Sequence, residues 1–270
     1  MHGIKQPEMT MYSKIAILAA AGAFAAAFGG AAQAASIIGL VDGKTLVMID
    51  PSSRKVTATM PIKGADMLHG IDVRPADGML YGLAPGGVLV SIDPKTGQAT
   101  QKSKVSEAIK ATSDVTFDFN PAADRLRILT TDGTSLRINV EDGKTTVDGS
   151  LKYKEGDANA GKTPKVIAGA YTNSMKDTKA TALYNIDAAT NALVMQAPPN
   201  DGVLNSVGAL GMTVEAPAAF NIVASAPDKN DAWLAAGGNL YSVDLKTGKA
   251  TMAGKIEGLS GKLTDIAWWE

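Results

Sequence analysis

The chain has no cysteine among its 270 residues. Disulfide staples, thiolate metal ligands and cysteine nucleophiles are therefore excluded, and the fold must hold by burial and hydrogen bonding alone. Histidine is almost as scarce, because only His2 and His69 are present. That excludes multi-histidine metal centres and the metalloprotease chemistry built on them. Charge of one sign is missing too: 26 basic residues face 27 acidic ones, and no lysine run appears. A general affinity for nucleic acid or an anionic membrane surface has no support.

What is there begins with a leader. Lys14 is a short positive region, and Ile15 to Phe28 is an apolar run of 14 residues. A bilayer span needs about 20, so this run is too short to remain in the membrane. Ala32-Gln33-Ala34 follows, the small-x-small pattern of a signal-peptidase site. Residues 1–34 therefore read as a signal peptide with the cut after Ala34, and residues 35–270 as one domain with a net charge of −2. The expected address is secreted, either periplasmic or extracellular, with no membrane span left in the mature chain.

The mature region repeats a strand that ends in Asp or Asn. The copies are Leu46–Asp50, Leu89–Asp93, Leu136–Asn139, Leu183–Asp187 and Leu240–Asp244. Their last residues lie 43, 46, 48 and 57 positions apart, close to the length of a four-strand propeller blade. An Asx side chain accepts hydrogen bonds from backbone N–H groups two or three residues on, which closes a turn. These five residues are turn residues on this reading, not catalysts. Other apolar runs supply the remaining strands, and no 10-residue stretch has a helical period, although Ser106 to Ala111 allows one turn. The N-terminal blade lacks an innermost strand, while Thr264–Trp269 is spare at the C-terminus. The expected fold is all-β, a five-bladed β-propeller closed by pairing of the C-terminal strand with the N-terminal blade, since closure hides sheet edges. In the fourth blade, Ser150 to Lys154 is expected as the inner strand and Val166 to Asn173 as the second.

Two motif matches fail on context. Gly156-Asp-Ala-Asn-Ala-Gly161-Lys162-Thr163 satisfies the phosphate-loop pattern, but Pro164 and a strand-like run follow where a helix N-terminus is needed. Ser52 and Lys55 have serine–lysine spacing but sit in the tight turn after Asp50. The loop's Asp157 and Asn159 are hard oxygen donors, and Ca²⁺ is the one cofactor the residues suggest.

Geometry nominates the rest. Ligands gather at a propeller's channel mouth, on the face with the longer loops. The outer-to-inner connections, Pro61–Gly70, Lys104–Ser113 and Pro198–Ala216, are the longer ones. Asp66, His69, Asp114, Asn205 and Asp265 come from them or from inner-strand starts, and are the candidate ligand-binding residues. Asp72 and Asp118 sit at matching positions, each three residues before a proline, and are expected to brace the turn that follows. Trp268 and Trp269 are consecutive, so in a strand they face opposite sides. Core packing is the favoured reading for them, with carbohydrate stacking as the other.

Several stretches also occur together as a set: Phe117-Asp-Phe-Asn-Pro121, Asp124-Arg-Leu-Arg127, Gly156–Gly161, Tyr171-Thr-Asn173, Pro198-Pro-Asn200 and Leu204-Asn-Ser-Val-Gly208. The set resembles the bacterial family known as domain of unknown function 4394, over about His69 to Gly248. The resemblance implies a secreted propeller-like domain, often beside other modules, and implies no activity. It raises Asp118, Asn120, Arg125, Asp157 and Asn159 as residues with a shared role, structural or functional. No reactive constellation stands out. The expectation is a monomeric, non-catalytic binding or scaffolding module for a small molecule, glycan or protein. The competing class is a hydrolase using carboxylates at the channel mouth, glycosidase- or lactonase-like, with or without Ca²⁺.

Overall fold

Short runs of Val, Ile, Leu and Ala closed by Asx turns fold into antiparallel hairpins. The structure, a computed structural model describing residues 1–3, 35–109 and 115–269, arranges them in five sheets. The leader, its cut after Ala34 and the candidate Asp114 lie outside the described residues. Blade one contains β1 (Ser36–Val41), β2 (Thr45–Ile49) and β3 (Val56–Pro61). Blade two contains β4 (Ile71–Val73), β5 (Leu80–Ala84), β6 (Val88–Ile92) and β7 (Ala99–Lys104). Blade three contains β8 (Val115–Asn120), β9 (Arg125–Thr130), β10 (Ser135–Ile138) and β11 (Thr145–Val147). Blade four has β12 (Lys152–Tyr153), β13 (Val166–Tyr171), β14 (Leu183–Asp187), β15 (Ala192–Gln196) and β16 (Val203–Ala209). Blade five has β17 (Ala218–Ala226), β18 (Lys229–Ala236), β19 (Asn239–Val243) and β20 (Ala250–Lys255). The last strand, β21 (Leu263–Trp269), pairs antiparallel with β1, from Ser36 opposite Trp269 to Val41 opposite Leu263. The C-terminus thus provides the inner strand of blade one and closes the ring.

Four of the five repeats, β2, β6, β10 and β19, are third strands, the one in blade four, β14, is a second strand, and each terminal Asx side chain closes its turn. Asp50 accepts from Ser52 and Ser53 N–H, Asp93 from Lys95, Asn139 from Glu141, Asp187 from Ala189 and Asp244 from Lys246. Ser52 therefore sits in a turn, with its hydroxyl donating to Asp50.

Blade four departs from the expected order. Val166–Tyr171, buried at every position, is the inner strand. Lys152–Tyr153 lies at the outer edge, parallel to β16. The reason lies in β16 itself. The sequence reading places Val203–Ala209 in a connection, but a turn at Pro199–Asp201 sends it back along β15 as the fourth strand. The connection to blade five shrinks accordingly to 210–217.

Burial falls from the channel outward. Inner strands are flanked on both faces by neighbouring blades, whereas β3, β7 and β20 are largely exposed. The apolar core is divided into clusters at the blade junctions. Phe117 and Leu89 belong to the cluster between blades two and three, Phe220 and Ile167 to the one between four and five. The junction of blades three and four has a small apolar cluster around Leu129 and Val166. A polar network supplements it. Arg127, 1% exposed, donates to Tyr171 Oη, Ser135 Oγ, Asp148 Oδ2 and Asn200 Oδ1. Arg74 ties blades two and three in the same manner, through Asp124 and Glu141. Among the described residues no helix is long and apolar enough to cross a membrane.

Candidate functional site

The ring of inner strands creates a hydrogen-bonding problem at its centre. An inner strand has a free edge facing the channel, and a buried N–H without an acceptor costs about 1–3 kcal/mol. Three aspartates solve it, each reaching from one inner strand to the next. Ile71 N–H donates to Asp265 Oδ2 at 2.8 Å, Phe119 N–H to Asp72 Oδ2 at 2.8 Å and Tyr171 N–H to Asp118 Oδ1 at 2.9 Å. Asp72 and Asp118 thus act across blades and do not brace the turns that follow them. A side chain in the middle of an inner strand is nearer to the next strand than to its own turn.

Burial dominates the electrostatics of this set. It pushes the Asp72 carboxyl up to about 7, against the hydrogen bonds from Phe119, Val73 and the Asn221 side chain. Asp118 is raised by burial first and by the Asp72 charge second, with the Tyr171 N–H opposing. Asp265 is raised by burial, against the Ile71 and Ile266 amides, and further by Asp72. Gly70 belongs to the same region. A Cβ there would meet Phe117 Cβ at 2.6 Å and Asp265 Oδ2 at 3.0 Å, so the start of β4 approaches its neighbours too closely for a side chain.

Asp72 also lines a cavity of about 390 Å³ at the C-terminal ends of the inner strands. Blade two supplies Asp72 and Val73, blade five Asn221 and Ser225, and the closing strand Trp268 and Trp269. Ser174, Met175 and Lys176 of the β13–β14 connection complete the wall. Asn173 holds that connection at its base. Its backbone adopts φ +54°, its amide donates to Ala180 O and Asp228 Oδ1, and its Oδ1 accepts from Asp228 N–H and Asn230. Trp268 packs with Ile37, Val47 and Ile266, Trp269 with Ile38, Leu46 and Ala267, so the two indoles serve opposite faces of β21. The Trp268 indole N–H is buried with no acceptor among the described residues.

Two larger clefts exist. One of about 630 Å³ lies between blade five and the connection before β21, and one of about 720 Å³ between blades four and five. Neither has a buried carboxyl or amide in its wall, whereas Asp72 and Asn221 both face the channel-mouth cavity. Asp72 is the one acidic residue among the described residues lining it. A general acid with a raised pKa is present, but the second, ionised carboxylate that glycoside hydrolysis needs is not in that wall.

The residues nominated from the sequence spread over the molecule. Asp66 is exposed on the β3–β4 connection. His69 precedes β4; burial pushes its imidazole pKa down, and its Nε2 has no partner among the described residues. Asp265 lies in the channel and accepts the Ile71 N–H, two positions along the chain from His69. Asn205 lies in β16 and donates to Met195 O and Ala197 O, serving the blade's outer hairpin. Asp157 accepts from Ser206 N–H, Ser206 Oγ and Asn159 N–H, and Asn159 donates to Ser206 Oγ, so the 155–165 loop is stitched to β16. Among the described residues, no group of three or more His, Asp or Glu side chains is arranged to hold a metal ion. Asn120 closes its own turn through Ala122 and Ala123 N–H, and Arg125 is exposed. Asn221 and Ser174–Lys176 escaped the sequence reading. A signal existed in the shared pattern Ile71-Asp-Val, Phe117-Asp-Phe and Phe220-Asn-Ile.

The chain was compared with known families and solved structures. The sequence profile of a domain of unknown function, DUF4394, matches residues 33–267. No curated protein matches the sequence. A protein of unknown function from Bacteroides thetaiotaomicron VPI-5482 superposes with a TM-score of 0.51 at 13% identity, over 85% of this chain and 63% of that one. One of unknown function from Bacteroides caccae gives 0.46 at 13%, over 82% and 72%. An auxiliary nutrient binding protein from Bacteroides thetaiotaomicron VPI-5482 gives 0.43 at 12%, over 73% and 55%. This chain therefore spans less than two thirds of the length of the first and third of these structures.

Proposed function

We propose that this chain, which belongs to the DUF4394 family, is a non-catalytic binding module that acts outside the cytoplasm and holds a small molecule at the mouth of its propeller channel. The observation that carries this reading is the wall of the 390 Å³ cavity, where a buried carboxyl, a buried amide and two indoles come together. Ligand pockets typically combine an apolar lining with a few fixed polar groups, in volumes from about 300 Å³ upward. The three channel aspartates support a binding role over a hydrolytic one, because each already accepts a backbone N–H from the next blade. The leader pattern of residues 1–34 supports export.

The test is a melting-temperature screen of the full chain against sugars, amino acids, nucleosides and organic acids, since a ligand specific to the folded state raises stability. At least one compound should raise the melting temperature of the wild type and not of Ser225→Trp, which places an indole at the exposed lip of the cavity. A shift that persists in Ser225→Trp would move the site elsewhere, and no shift with any compound would count against the reading. For the address, residues 1–34 fused to a reporter active only outside the cytoplasm should give signal, and a reporter silent in that fusion would overturn it.

A further inference from the structure

The cavity wall restricts what can sit in it. Most of its polar groups both donate and accept. The hydroxyls of Ser174 and Ser225 each donate and accept, the Lys176 ammonium donates from the rim, and the Asn221 side chain, which hydrogen-bonds to Asp72, presents an amide that does both. The Asp72 carboxyl already accepts from Phe119 N–H. An occupant must therefore offer groups that both donate and accept, as hydroxyls do.

The aromatic groups narrow the class. Trp268 and Trp269 project to opposite faces of one strand, so they do not form a sandwich for a flat base. Lys95 Nζ lies 6.0 Å from the centre of the Trp269 ring, a cation on the negative π-face. The same quadrupole attracts the weakly positive C–H bonds of a saturated ring. A zwitterionic amino acid would need an ionised partner for its ammonium, and the only acid in the wall is buried and spoken for. A phosphate would need a guanidinium or a nest of amides, and the wall's single cation is Lys176.

We infer that the channel-mouth cavity is a saccharide subsite, which takes one pyranose unit with its C–H face against an indole and its hydroxyls on Asn221, Ser174 and Ser225. The inference rests on the binding reading above and names its ligand class. Lys176 at the rim extends the class to carboxylated pyranoses, which share the same ring and hydroxyl chemistry.

The chain has three tryptophans, two of them in this wall, so intrinsic fluorescence reads the site directly. Full-length protein is titrated with glucose, galactose, N-acetylglucosamine and glucuronate, and in parallel with a free amino acid and adenosine. At least one saccharide should change the fluorescence saturably, with the apparent Kd weakened tenfold or more in Ser225→Trp and in Trp269→Leu. A glucuronate preference that disappears in Lys176→Gln identifies the carboxylated source, and equal affinity for glucose the neutral one. Either result supports the saccharide subsite. If adenosine or the amino acid binds in a manner blocked by Ser225→Trp and no saccharide does, the ligand class is wrong while the binding site stands. If none of the six probes alters the fluorescence, although circular dichroism shows all variants folded as the wild type, the subsite itself is overturned.

Discussion

The Asp72 carboxylate on β4 accepts the backbone N–H of Phe119 on β8 at 2.8 Å, so one blade closes the open edge of the next. Asp118 and Asp265 repeat the contact at two other junctions. The bond satisfies a buried amide, and its cost is a carboxyl removed from water.

That arrangement sets a pH dependence. Asp72 titrates at about 7 in the folded chain and near the ordinary 3.8 when unfolded. A raised folded pKa favours folding fully below the unfolded value, and the benefit is lost as pH rises through the folded one. Asp148 works in the opposite sense. Burial raises its pKa, but Arg137 and Arg127 outweigh burial and hold it low, so its contribution is present above about pH 4 and lost on further acidification. The melting temperature should therefore peak at about pH 4–5 and decline towards pH 8. The upper limit from Asp72 is about 4 kcal/mol at roughly 1.4 kcal/mol per pH unit. Asp118→Asn should flatten the decline, because an amide oxygen still accepts the Tyr171 N–H and carries no charge. A wild-type profile that is level from pH 5 to 8 by scanning calorimetry would contradict this account.

Arg127 should be among the costliest residues to lose. It donates to four partners drawn from blades three and four and is almost fully buried. Arg127→Met keeps the bulk but strips Tyr171, Ser135 and Asn200 of their donor; Asp148 retains Arg137, so the cost should stay at or below the about 3–5 kcal/mol of a fully broken buried pair. Arg127→Lys should restore little, since a single ammonium lacks the planar fork that reaches Tyr171, Asp148 and Asn200 together. Urea midpoints of the two variants check both statements, and a midpoint near wild type in either would refute the one concerned.

Removal of residues 263–270 should open the ring. The deletion strips β1 of its inner partner and exposes Ile37, Ile38 and Leu40, which are at most 1% exposed in the closed ring. A bare apolar edge pairs with other chains. Size-exclusion chromatography should show aggregate or a larger species than the full chain gives under the same conditions, and a folded truncation eluting like the full chain would show that closure is dispensable.

Much of this architecture was legible in the sequence because it depends on local chemistry. The terminal residues Asp50, Asp93, Asn139, Asp187 and Asp244 mark one strand in each of the five blades, since an Asx turn is closed within three residues of itself. The spare strand Thr264–Trp269 marked the closure, since an unpaired edge must find a partner. Blade four was misread where a two-residue parallel strand, Lys152–Tyr153, looked like an inner strand by position alone. The set of stretches shared with the family reads differently in three dimensions. Arg127 meets Tyr171 and Asn200, 44 and 73 residues away, and Asp157 meets Ser206, 49 away, so much of the set holds one blade junction and its loop.

The number of blades, the turn residues and the strand that closes the ring follow from the order of residues, because hairpin formation involves neighbours along the chain. The site does not. Asp72, Asn221 and Trp269 come from blades two, five and one, and nothing along the chain relates them. Only the curvature of the closed ring brings the ends of their strands to one mouth, and only burial there turns an ordinary aspartate into a group that titrates near neutrality.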